Sequence, residues 1–350
     1  MYRTLLRRTG IASMATSCAL ALSLVGMAGS AQAHTAIPSG VVASSGYTVD
    51  VFAKGTAAYL NPDSVDVADG FVFIGYQNIT AKDGTDHKSS TIVQYTLDGQ
   101  VVHTFSVPGH CDGMRFNKET DLLWATSNED GNPGIVTIDP ESGKITPYTI
   151  PTTPHGGGYD DVIFLHGKAF IAASNPTVNS AGVNVFPAVD EITLKDGKAI
   201  LTPILNGNAS AVDTTTGKTV TLNLTDPDSL MIDTKGNLVL DSQADSQLIT
   251  IHNPGTDDQT VSTLPVTTQL DDSWWIRSGD GALLLVDGKA NTTYKVTLKG
   301  DFTHGTIYTV VPSDSNPLAG TLNIVDPKTG KLTTVITGLG SPTGLNFLPE

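Results

Sequence analysis

Five aspartates occupy the same place in a recurring phrase of the sequence. Asp63, Asp112, Asp160, Asp228 and Asp272 each precede a short apolar run, as in Asn61-Pro62-Asp63-Ser64-Val65 and Asp226-Pro227-Asp228-Ser229-Leu230. Gathered in one place, five carboxylates repel one another and a bound cation relieves that repulsion; their hard oxygen donors suit Ca²⁺ or another divalent ion. Taken singly, an aspartate before a strand also accepts backbone N–H groups in an Asx turn, so the same residues can serve folding alone.

Other reactive groups lie close by in sequence. His110-Cys111-Asp112 sets an imidazole and a thiol beside one aspartate. His155-Gly156-Gly157-Gly158-Tyr159-Asp160-Asp161 makes His155, Asp160 and Asp161 the candidate catalytic residues, with His155 as general base. The three glycines either present bare N–H groups to a ligand or permit a tight crossover between modules. Tyr76, Asn128, Glu129, Asn175 and Gln243 follow the second apolar run of their modules and so reach the face of the aspartates; with His110 they are the candidate ligand-binding residues. A polar turn is the plainer reading of the Asn128-Glu129 stretch. Trp274-Trp275 fits packing between modules or stacking on a carbohydrate.

The elements that position these residues are hairpins. Residues 225–241 read as a turn, an apolar strand, a Lys-Gly-Asn reversal and a second apolar strand, and the phrase recurs with Asp69-Gly70, Lys118–Asp121, His166-Gly167 and Asp280-Gly281 at the reversal. A second hairpin follows in each module, turning at Asp98-Gly99, Asp196-Gly197 or Asp-Pro-x-x-Gly segments such as residues 139–143 and 326–330. Glycine accepts positive φ and Asp or Asn bonds its own backbone, so these are strong turn sequences. The successive aspartates stand 49, 48, 68 and 44 residues apart. A period in the forties with four strands per unit specifies a β-propeller, with the long interval carrying a surface insertion. The expected fold is all-β, six blades of four antiparallel strands in one domain over residues 46–350. Residues 46–52 are expected to close the ring by joining residues 305–347 in the last blade. Seven blades would need a further repeat within residues 206–224 or 301–318.

Residues 1–33 have the composition of a secretory signal peptide: Arg3, Arg7 and Arg8, an apolar stretch over 11–25, and Ala31-Gln32-Ala33 as cleavage site. Residues 34–45 are expected as a flexible leader, and the protein as periplasmic or secreted. The net charge of −15 becomes −18 without those three arginines. That balance excludes nucleic acid and anionic membrane surfaces as partners and favours cations and neutral or cationic small molecules. Of the two cysteines, only Cys111 lies beyond residue 33, so no intrachain disulfide is available there. A monomer is expected.

The module phrase Asp226-Pro227-Asp228-Ser229-Leu230 with Gly236-Asn237-Leu238 resembles the Pro-Asp-Gly-Leu phrase of NHL-repeat propellers and of the gluconolactonase–regucalcin (senescence-marker) superfamily. The resemblance implies a propeller with a divalent-metal site in its central channel. Asp228 matches the family's metal-binding aspartate by motif. The family's asparagines fall at Asp112 or Asp160, and Asn61-Pro62-Asp63 replaces its early glutamate. Three functions stay open: a small-molecule or divalent-cation binder at an acidic channel mouth, a metal-dependent lactone or ester hydrolase, and a non-catalytic scaffold for a protein or glycan.

Overall fold

Tight reversals determine the strand pattern. Asp69-Gly70, His166-Gly167 and Asp196-Gly197 have φ of 52 and 77°, 53 and 75°, and 50 and 74°. Two consecutive positive φ angles give the turn whose twist matches that of paired strands. In the longer turns the leading aspartate binds its own loop: Asp139 accepts the Glu141 N–H at 3.0 Å, Asp213 that of Thr215 at 2.8 Å and Asp326 that of Lys328 at 2.9 Å. Each such loop then closes on a glycine of positive φ, at 143, 217 or 330.

The computed structural model describes residues 40–151 and 153–350, and every regular element among them is a β-strand. The expected signal peptide lies outside the described residues. Among the described residues the strands sort into six four-stranded antiparallel units. Unit 1 is Pro62–Ala68, Phe71–Tyr76, Ser89–Thr96 and Val101–Pro108. Unit 2 is Cys111–Asn117, Leu122–Ser127, Gly134–Ile138 and Ile145–Thr149. Unit 3, Tyr159–Leu165, Lys168–Ala173, Pro187–Lys195 and Lys198–Asn206, joins unit 2 through one parallel pair, Thr149 with Lys198. Unit 4 runs Pro227–Ile232, Leu238–Ser242, Gln247–His252 and Thr260–Pro265, and the insertion before it adds the hairpin Ser210–Asp213 and Thr219–Thr221 to its outer edge.

The last two units exchange strands, which corrects the expected pairing. Ser273–Trp275, the innermost strand of unit 5, does not form a hairpin with Gly281–Asp287. It pairs instead with Ile307–Val311, followed outward by Thr321–Val325 and Leu332–Thr337. Gly281–Asp287 and Thr292–Leu298 belong to unit 6, whose innermost strand is Pro342–Pro349. Tyr47–Lys54 completes unit 6 against Thr292–Leu298, so of the expected residues 305–347 only Pro342–Pro349 shares its sheet. The expected leader ends in structure too: Val42 and Ala43 pair with Thr337 and Ile336 on the edge of unit 5.

One apolar layer fills each gap between neighbouring units. Phe73, Phe105, Met114 and Leu123 fill that between units 1 and 2, and Leu230, Leu240, Phe170 and Ala188 that between 3 and 4. Similar layers follow between 2 and 3, 4 and 5, 5 and 6, and 6 and 1. The innermost strands touch in the same cyclic order, and the ring closes as a β-propeller around a central channel. This is why second strands such as Leu122–Ser127 and Lys168–Ala173 are buried on both faces while Val101–Pro108, at a rim, buries only Phe105 and Val107.

Candidate functional site

All innermost strands enter the channel from the same end, and five begin with the same irregularity, which in the last strand falls between Pro342 and Leu345. The register shifts between Pro62 and Val65, Cys111 and Met114, Tyr159 and Val162, and Pro227 and Leu230. A bulge re-aims the residues it contains, and the bulges hold Asp63, Asp112, Asp160 and Asp228. These four, with Asp272, line one cavity of about 390 Å³ at the channel mouth. Asp161, Glu129 and Gln243 line it as well, as do Asp226, Asp271, Asp314, Gln77 and Lys82, which the sequence reading did not single out.

Hydrogen bonds establish which residue of each doublet faces the mouth. Asp161 accepts the N–H of Val162 at 2.8 Å and, across the unit boundary, that of Leu230 at 3.0 Å. Asp272 repeats both contacts with Ser273 at 2.8 Å and Leu345 at 2.7 Å. Asp272 is therefore the counterpart of Asp161, a clasp between units, and Asp271 is the counterpart of Asp160. Gln243 donates to Asp271 at 2.8 Å, as Gln77 donates to Asp112 at 3.1 Å. The repeat phase in unit 5 is thus one residue earlier than the sequence reading placed it.

Below this ring lies Arg115. Its guanidinium meets Asp161 at 3.1 Å and Asp66 at 3.4 Å, and Asp66 also accepts the N–H of Phe116 at 2.8 Å. Asp161 is accordingly a structural partner of Arg115, and burial raises its pKa against the opposing pull of that cation.

Burial and mutual repulsion dominate the electrostatics of the mouth. Burial, then Glu129, pushes Asp63 up to about 7. Burial lifts Asp272 to about 7. Asp112, Asp160, Asp228 and Asp271 are raised well above the carboxylate range, by burial first and neighbouring carboxylates second. Lys82 forms an ion pair with Glu129 at the rim.

Among the described residues the geometry singles out one group of metal-ligand type. His110, Asp112 and Glu129 bring one ligand atom each within 4.8 Å of one another. His110 Nε2 lies 3.6 Å from Asp112, while its Nδ1 faces the Thr80 hydroxyl at 2.8 Å and carbonyl at 3.1 Å. A ring nitrogen so engaged leaves the other free as a donor atom, the usual outer support of a metal-binding histidine. Both residues are more than nine-tenths buried, yet His110 Nε2 and Asp112 Oδ2 have no hydrogen-bond partner.

Five expected site residues lie outside the cavity wall: His110, which stands beside Asp112, and four others. His155 is buried, accepts the Gly157 N–H on Nδ1 at 3.3 Å and stacks edge-on against Tyr159 at 5.4 Å. Burial alone pulls its pKa down to about 4. The glycines beside it are there for space, because a Cβ at Gly157 would collide with the Ser174 carbonyl and one at Gly158 with that of Asn128. Tyr76 is a core residue bonded to Tyr95 at 2.7 Å. Asn128 is a loop brace between the His110 N–H at 2.9 Å and the Asn132 carbonyl at 2.9 Å. Asn175 is exposed and donates to Asp130 at 3.0 Å.

No protein-family model matches the sequence, and no curated protein matches it. Solved structures do. A Bacteroides caccae protein of unknown function is 11% identical, with a TM-score of 0.49 over 83% of this chain and 87% of that one. The periplasmic gluconolactonase of Pseudomonas aeruginosa is 13% identical, with a TM-score of 0.47 over 82% and 88%. Virginiamycin B lyase from Staphylococcus aureus is 12% identical, with a TM-score of 0.45 over 72% and 99%.

Proposed function

We propose that this propeller binds a divalent metal ion at the channel mouth through His110, Asp112 and Glu129, and through that ion a small oxygen-bearing ligand in the cavity above the channel. The observation that carries the reading is the buried, unpartnered His110 Nε2 and Asp112 Oδ2. A buried polar atom without a partner costs about 1–3 kcal/mol, and an ion between these residues removes that cost. The imidazole in the donor set favours Mn²⁺ or Zn²⁺ over the Ca²⁺ that an all-carboxylate ring would prefer. In the metal-free protein the Lys82 ammonium neutralises Glu129, and it must swing aside when the ion enters. Calorimetric titration of chelator-treated protein with Mn²⁺, Zn²⁺, Ca²⁺ and Mg²⁺ tests this: one saturable site, lost in Asp112→Asn, is expected. Absence of any saturable site, or a site untouched by Asp112→Asn, rejects it.

A second reading makes the same site hydrolytic, and Asp160 and Asp228, two carboxyls of the cavity wall held well above the carboxylate range, favour it. The ion would supply activation of a water for attack on the carbonyl of a lactone or ester; Asp160 and Asp228 would take up that water's proton and return it to the alkoxide released when the C–O bond breaks. His155, enclosed by its own loop, has no part in that path. Turnover of a lactone and ester panel in the presence of Mn²⁺, abolished by Asp160→Asn with metal binding retained, is the outcome this reading requires.

A further inference from the structure

The channel has a second end, with a larger cavity of about 750 Å³ lined by the last residues of the innermost strands. Arg115 lines both cavities and separates them. All three tryptophans of the chain, Trp124, Trp274 and Trp275, lie in the wall of this second cavity. Trp124 stands edge-on to Phe164 at 5.1 Å, and its buried indole N–H has no acceptor. Trp274 and Trp275 remain half-buried beside the cores of units 5 and 4.

The charges differ from those of the mouth. Asp66 is taken by Arg115 and the Phe116 N–H, and Glu191 by Lys168 at 2.7 Å. Two cations of the wall are left without a carboxylate in ion-pair range among the described residues, Lys118 and Arg277. Arg277 donates only to the main-chain carbonyls of Ile232 at 2.6 Å and Asp233 at 3.3 Å, from an exposed position at the rim. Aromatic faces, a spare indole donor and spare cations call for a ligand with a flat or stackable ring and an anionic oxygen group.

We propose that this cavity is a second binding site, independent of the metal reading, which takes a small carboxylate carrying a ring: an aromatic acid or a sugar acid. Because every tryptophan lines the cavity, fluorescence excited selectively at tryptophan reports on it. Purified full-length protein titrated with benzoate and with glucuronate, against the neutral analogues benzamide and glucose, tests the proposal. A saturable change with an acid, and at least ~10-fold weaker binding of its neutral analogue, is expected for loss of a charge-assisted contact. Benzoate responding identifies the aromatic class, and glucuronate the sugar class. Arg277→Gln, a rim substitution that leaves the core untouched, should weaken the acid by about 10-fold, whereas Asp112→Asn at the mouth should not change it. Saturation with neither acid, equal binding of acid and neutral analogue, or an unchanged Arg277→Gln titration overturns the proposal.

Discussion

At one end of the channel ten carboxylates face two cations, Lys82 and Arg115; at the other, three carboxylates face four cations and three tryptophans. The same six strands build both ends. The difference comes from where along a strand each residue falls. The opening bulges carry Asp63, Asp112, Asp160 and Asp228, whereas residues a few positions later line the aromatic cavity. A propeller strand thus carries two chemistries along its length, and Arg115 keeps them apart.

Removing that separator should have the largest effect. Arg115→Met leaves Asp66 and Asp161 buried without their cation, and loss of about 3 kcal/mol is expected in denaturant unfolding. A comparable stability for the variant would mean that the two ends are not coupled through this residue.

The next effect belongs to the mouth alone. An ion bound only by the folded protein stabilises it by about 2.7 kcal/mol at a hundredfold excess over Kd, and Asp112→Asn or Glu129→Gln should erase that gain in calorimetric melting. Asp66→Asn, at the opposite end, should leave the metal-induced gain intact.

The pH dependence of the metal-free protein follows from the same carboxylates. Asp63 and Asp272 have folded pKa values of about 7, above the unfolded carboxylate value. Their raised values mean that the folded state holds protons the unfolded state has lost. The stabilisation is full below about pH 4 and declines as pH rises toward 7. Melting of metal-free protein at steps across that window should show the decline, and saturating metal should flatten it, since the ion selects the ionised forms. Stability that rises over the window would contradict the crowding of charge at the mouth.

The smallest effect concerns Lys82, whose side chain is 60% exposed. Lys82→Met removes an ammonium that competes for Glu129 and should tighten metal binding by about 2–5-fold, within the range of a screened surface pair. Weaker binding in this variant would make Lys82 a ligand-positioning group, and no longer a competitor.

Much of this was legible in the sequence, for local reasons. Asp-Gly turns with both residues at positive φ and Asx loops closed by glycine are decided within four residues, so the hairpins of units 1 to 4 could be read directly. The convergence of Asp63, Asp112, Asp160 and Asp228 followed from the repeat. Asp271 was missed because it stands in an Asp-Asp doublet, where only the clasp from Asp272 to the Leu345 N–H reveals the phase. The placing of His155 outside the mouth cavity was not legible, because it depends on how closely the Ser174 and Asn128 carbonyls approach Gly157 and Gly158, a contact between distant residues. Arg115 gave no local sign, as its partners lie 49 and 46 residues away. The exchanged strands of units 5 and 6 were unreadable for a related reason: Asp280-Gly281 resembles a hairpin turn after residues 273–275, yet each flanking segment has a more distant partner.

That exchange bears on the order in which the molecule can be assembled. The path visits the innermost strand of unit 5, the middle of unit 6, the rest of unit 5 and then the innermost strand of unit 6, so neither sheet is whole until the other nearly is. Residues 42–54 emerge first from the ribosome and must wait for Thr292–Leu298 and Leu332–Thr337 before their edges are covered. Through most of synthesis those edges are open to chance pairing with other chains. A nascent protein cut short between residues 276 and 331 therefore leaves both of these blades incomplete.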